Sequence, residues 1–118
     1  MLLNDFYIIT ACGNLPAESG EIGCYELRFN AEHPIYKGHF PSKPITPGAC
    51  LVQIAAELLA KTIKKDQVSP KSITNVKFLA SHTPEQPITV KISSRDDERF
   101  TVEMSNGVEY FAKMTFVL

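Results

Sequence analysis

From Ala49 to about Lys65 the chain runs through Ala, Leu and Ile without a single Gly or Pro, and that length and composition predict one long helix. Leu51, Val52, Ile54, Ala55, Ala56, Leu58, Leu59 and Ile63 surround most of its circumference, so it must be covered on nearly every side. Only one stripe is polar. Gln53, Glu57, Lys61 and Lys64 follow one another at i+4, i+4 and i+3 and share a face. The cover must come from the remainder of a 118-residue chain, long enough for one ordinary core and too short for two, so residues 1–118 are expected to form a single domain.

The flanking segments supply that cover as strands. Residues from about Leu3 to Cys12 are rich in aromatic and β-branched types and stop at Gly13-Asn14. Pro16 to Gly20 reads as a turn, and Ile22 to Asn30 as a second strand with Gly23, Tyr25, Leu27 and Phe29 on one face. After Pro70 the pattern has period two, predicting strands at Ser72 to Ala80, Ile88 to Ser93, Phe100 to Met104 and Val108 to Val117. Arg95-Asp96-Asp97-Glu98 and Ser105-Asn106-Gly107 are the hairpin turns, the second with an Asn-Gly pair suited to positive φ. The expectation is α+β: an antiparallel sheet of about six strands curved round one central helix.

Between the second strand and the helix lies Gly38-His39-Phe40-Pro41-Ser42-Lys43-Pro44-Ile45-Thr46-Pro47-Gly48. Three prolines fix φ and push the residues before them towards extended conformations, so this segment is read as a stiff, non-helical loop. A histidine held on such a loop, ending at a helix N-terminus, suits a base that must meet a substrate at fixed distance; the plainer alternative is a histidine that caps loop backbone. His33, before Pro34, and His82, among Ser81, Thr83 and Pro84, take the plainer reading.

The segment resembles the signature of the 3-hydroxyacyl-(acyl carrier protein) dehydratases, hotdog-fold proteins of fatty acid and polyketide synthesis. The likeness is carried by His39, Phe40, Pro41, Lys43, Pro44, Ile45, Pro47 and Gly48, extends more weakly through Asn75-Val76-Lys77-Phe78, and spans His33 to Ile92. It implies a hotdog fold, a dimer or higher oligomer with each active site between two subunits, and dehydration of a 3-hydroxyacyl thioester to a trans-2-enoyl thioester. His39 would be the base and the Gly48 amide the donor to the thioester oxygen, with Phe40, Pro47 and Glu57 lining the substrate site. The first thirty residues match the family poorly. The larger departure is Gln53, the fifth residue after Gly48, which stands where the family has a Glu or Asp.

An amide can hold the hydroxyl but has no proton to give. Three readings stay open: Gln53 positions the hydroxyl while His39, or a water it polarises, moves both protons; Glu57 stands in from one turn along the helix; or another hotdog subunit supplies the acid. Against the second stands an ordinary Glu57–Lys61 ion pair. A hotdog thioesterase using Glu57 and a non-catalytic subunit of a heteromeric dehydratase are the rival functions.

Other classes are disfavoured. The formal charge of −1 gives no general pull towards nucleic acid or anionic membrane, though Lys61, Lys64, Lys65 and Lys71, with Arg28, Lys37 and Lys43, offer a docking surface for an acidic acyl carrier protein. Coenzyme A is the alternative carrier. Cys12, Cys24 and Cys50 are odd in number and lack metal-ligand spacing, which argues against a disulfide framework or zinc site and for buried, reduced thiols. No signal peptide or run of about 18 apolar residues occurs, so a soluble cytoplasmic protein is expected. No phosphate loop, Rossmann fingerprint, Gly-x-Ser-x-Gly or His-Glu-x-x-His is present, and dehydration of this kind needs no cofactor and no metal.

Overall fold

The computed structural model describes residues 2–13, 20–39 and 44–118, with Gly38 and His39 described by backbone alone. The strands are β1 (Tyr7–Cys12), β2 (Glu21–Phe29), β3 (Ser72–Phe78), β4 (Ile88–Ser94), β5 (Arg99–Ser105) and β6 (Tyr110–Val117), and the helices α1 (Pro34–His39) and α2 (Gly48–Thr62). One sheet has the order β1-β2-β4-β5-β6-β3, with every neighbouring pair antiparallel.

Alternation along the strands sets which side meets the helix. Tyr25 and Leu27 of β2, Ile88, Val90 and Ile92 of β4, Phe100, Val102 and Met104 of β5, and Met114 and Phe116 of β6 are buried on one face. Leu51, Ile54, Ala55, Leu58 and Leu59 of α2 join them in a single core. Full burial of each large aliphatic or aromatic side chain here contributes about 1.5–3 kcal/mol, which makes α2 the axis of the domain. The expected polar stripe is the side that escapes: Gln53 and Lys61 are exposed and Glu57 is half-buried.

Some expectations are corrected. The segment from His33 into the proline loop is not wholly extended, since α1 carries the chain in helical conformation through Gly38 and His39. His33 starts that helix: its Nδ1 accepts the Ile35 N–H at 3.2 Å, and Pro34 occupies the first helical position, where no N–H is needed. α2 stops at Thr62 rather than Lys65. Lys64 adopts a left-handed φ of 59°, with Lys64 N–H on the Lys61 carbonyl and Lys65 N–H on the Ala60 carbonyl, a Schellman ending that closes the last turn. β6 begins at Tyr110, because Asn106 Oδ1 takes the Val108 and Glu109 N–H groups at 2.9 Å each and extends the turn to four residues. Cys12 is exposed and Cys24 and Cys50 are half-buried, so the thiols are free but not all covered.

Candidate active site

The site is assembled where the proline segment meets α2. Pro47 is the residue before the helix, extended at φ −60° and ψ 142°, and its carbonyl takes the Cys50 and Leu51 N–H groups. The amides of Gly48 and Ala49 thus lie in the first turn, where no backbone acceptor precedes them, at the positive end of a fifteen-residue helix. The Phe78 ring lies directly over Gly48: a Cβ there would stand 2.8 Å from Phe78 Cζ. Only glycine permits so close a cover. Beside this contact opens a groove of about 420 Å³ lined by Ile45, Thr46, Gly48, Leu51, Phe78 and His82, among others.

A buried relay fixes the floor of the groove. The Tyr36 hydroxyl lies 2.8 Å from Thr46 Oγ1, Thr46 Oγ1 lies 2.7 Å from His82 Nδ1, and His82 Nε2 lies 2.7 Å from the Gln86 carbonyl. The carbonyl can only accept, so His82 carries its proton on Nε2, Thr46 donates to Nδ1, and Tyr36 donates to Thr46. All three side chains are buried, with Tyr36 at 3%, Thr46 at 4% and His82 at 1% exposure. Phe29 and Phe111 flank the imidazole, with ring centroids at 4.5 and 5.0 Å. Burial pulls the His82 pKa down, towards the neutral form the relay requires, and pushes the Tyr36 hydroxyl up to about 12. Thr46 N–H also donates to the His82 carbonyl at 2.8 Å. The relay ties α1 and the residues before Gly48 to the loop between β3 and β4. Sequence reading left Thr46 and Tyr36 out, because a lone Thr between Ile and Pro carries no signal of a buried partner thirty-six residues away.

His39 is the last residue of α1, three positions after Tyr36. Its side chain lies outside the described residues, as do Phe40 and Lys43. His33 is a helix cap whose Nε2 donates to Asp5 Oδ2 at 3.1 Å, in keeping with its plainer reading.

Gln53 and Glu57 sit together one turn apart on α2, with Gln53 Nε2 donating to Glu57 Oε2 at 2.8 Å. The expected Glu57–Lys61 ion pair is not formed among the described residues. Instead the Glu57 carboxylate takes the Leu2 N–H at 2.9 Å, the Leu3 N–H at 3.0 Å and the Tyr7 hydroxyl at 3.1 Å. Burial, then the Glu57 charge and its hydrogen bond, push the Tyr7 hydroxyl far above its ordinary range. Burial pushes the thiol of Cys50, in the first turn of α2, up from its ordinary pKa. Lys61, Lys64 and Lys65 gather at the far end of α2, roughly 20 Å from Gly48 at about 1.5 Å of rise per residue. Among the described residues no group of acidic, His and Cys side chains is arranged to hold a metal, and no helix is long and apolar enough to cross a membrane.

A six-stranded antiparallel sheet closed on one long helix is the hotdog fold. The dehydratase heterocomplex ApeI:P from Xenorhabdus doucetiae has this architecture with a TM-score of 0.74 at 19% identity, covering 93% of this chain and 95% of that one. An uncharacterized protein from Erwinia carotovora subsp. atroseptica follows at 0.66 and 13%, covering 94% of both chains. Residues 17–114 match the ApeI-like family model, described as ApeI dehydratase, and the chain belongs to that family. Among curated proteins it is similar to the 3-hydroxyacyl-[acyl-carrier-protein] dehydratases FabZ of Geobacter metallireducens, 32% identical over 74 residues, and of Rickettsia typhi, 42% identical over 52. These matches cover 56% and 38% of this chain, and they span 49% and 36% of the relatives' own lengths, about half or less.

Proposed function

We propose that the chain is a dehydratase of 3-hydroxyacyl thioesters, carried on acyl carrier protein or coenzyme A, in fatty acid or polyketide-type synthesis. The observation that carries this reading is the Gly48 amide at the head of α2, opening into a groove with apolar walls, in a chain of the ApeI-like family. The thioester oxygen accepts from the Gly48 N–H, which stabilises the negative charge that develops as His39 takes the proton from carbon 2. The C3–O bond then breaks, the electron pair of the former C–H bond becomes the new double bond, and the hydroxide leaves as water with the proton returned by His39. Gln53 holds the hydroxyl. Phe40 and Pro47 wall the substrate site. Residues 1–118 act as one domain in the cytoplasm, as a dimer or larger assembly.

A second reading has its own support. Gln53 brings no acid, and its amide nitrogen already donates to Glu57, so a partner hotdog subunit could complete the His39 site. The structurally similar ApeI:P is itself a heterocomplex. Purified protein incubated with 3-hydroxyacyl and enoyl thioesters of both carriers separates these ideas by mass spectrometry. Gain or loss of one water marks the dehydratase, free thiol marks a thioesterase, and no change until a second hotdog subunit is added marks half of a heteromer.

A further inference from the structure

The Glu57 carboxylate accepts four hydrogen bonds, two on each oxygen: Leu3 N–H and Tyr7 O–H on Oε1, Leu2 N–H and Gln53 Nε2 on Oε2. A carboxylate has about four lone-pair sites, so its accepting capacity is filled. A group so engaged is a poor candidate for the base or acid of any reaction. What it can do is hold its neighbours, and the neighbour that faces outward is Gln53. The carboxylate can only accept, so the Gln53 side chain must turn its NH₂ towards Glu57. That leaves the carbonyl Oε1 directed away from Glu57. We infer that Glu57 is a positioning residue that locks the Gln53 amide with its carbonyl oxygen outward, making position 53 a hydrogen-bond acceptor for a site shared with a partner chain, since Gln53 and Glu57 line a pocket of about 250 Å³ apart from the Gly48 groove.

The inference rests on the proposed dehydratase reading for its chemistry. An acceptor at position 53 takes the O–H of the 3-hydroxyl and aims it, and cannot protonate the departing oxygen; the proton must then come from His39. The Leu2 and Leu3 amides and the Tyr7 hydroxyl hold the carboxylate from the other side, so the lock is built from the N-terminal segment, β1 and α2 together.

Two measurements test it. In ¹⁵N-labelled protein, the Gln53 side-chain amide, assigned by its loss in Gln53→Ala, is expected to show two well-separated proton resonances with slowed solvent exchange. Glu57→Ala should collapse them to the averaged pair of a free side chain. Turnover of a 3-hydroxyacyl thioester should fall roughly tenfold in kcat with Glu57→Ala, on the scale of one lost positioning hydrogen bond. Gln53→Ala should lose a similar amount, and the double variant should lose no more than either single one. Free-amide resonances in the wild type, or losses that multiply in the double variant, would overturn the inference. If Glu57→Ala does not fold, the wild-type spectrum still decides. Locked Gln53 resonances in a protein that turns over no thioester would sink the dehydratase reading while leaving the positioning role standing.

Discussion

His82 illustrates how a single buried side chain can organise the groove it lines. Its neutral form donates to Gln86 and accepts from Thr46, and the bond from Thr46 depends on Nδ1 being unprotonated. The folded-state pKa lies below the ordinary value of 6.5, so the unfolded chain binds this proton first as pH falls. Stability from His82 is therefore complete above about pH 6.5 and is lost on acidification through the window between the unfolded and folded values. Thermal denaturation from pH 7 to 5 should show Tm falling, and His82→Gln should flatten that slope while lowering Tm at pH 7. An equally steep slope in the variant would remove His82 as its source. At the candidate site, His39→Ala should abolish dehydration. Gln53→Glu should raise it by roughly 10²- to 10⁴-fold, the contribution of one positioned general acid. The new carboxyl would face Glu57, and two adjacent carboxyls share a proton readily, which favours the protonated form an acid needs. A Gln53→Glu variant no faster than wild type, assayed on a 3-hydroxyacyl thioester, would refute the role given to this position.

Among the elements, the strands and α2 were legible because their signals are local and repeated. Period-two burial in β4, β5 and β6 and the near-continuous apolar surface of α2 are read directly from side-chain type. The short α1 was not legible. Its start depends on a histidine acting as cap and on Tyr36 being drawn into a buried relay, and neither is visible without the tertiary structure. Glu57 was misjudged for a related reason: i+4 spacing to Lys61 suggested an ion pair, whereas the carboxylate is claimed by groups fifty or more residues away. The end of α2 escaped because lysine is a poor marker for a left-handed turn. Lys64 takes that conformation at φ 59° with a Cβ that disfavours it, so Lys64→Gly should raise stability by up to about 1 kcal/mol. Urea denaturation would show a higher midpoint at unchanged m-value; a lower midpoint would mean that the lysine side chain contributes more than the backbone strain costs.

At the scale of the whole molecule, the open question is what meets β3. This strand pairs with β6 on one side and is an edge of the sheet on the other. Unlike the alternating strands of the core, it is exposed along almost its whole length, and Val76 at 38%, Phe78 at 54% and Leu79 at 52% leave an apolar strip in water. A sheet edge with apolar residues is a template for association unless it is covered. The strip also adjoins the proposed chemistry, since Phe78 lies over Gly48 and lines the groove. Association through β3 would bring a second chain to the groove mouth, beside the Gly48 amide. Light scattering on purified protein is therefore expected to give at least twice the 13.1 kDa chain mass. Val76→Lys, placed on the strip but away from the Gly48 contact, should shift the protein towards monomer and lower thioester turnover together, with circular dichroism unchanged. A fully active monomer would show that the site is complete within one chain and that the β3 edge serves something else.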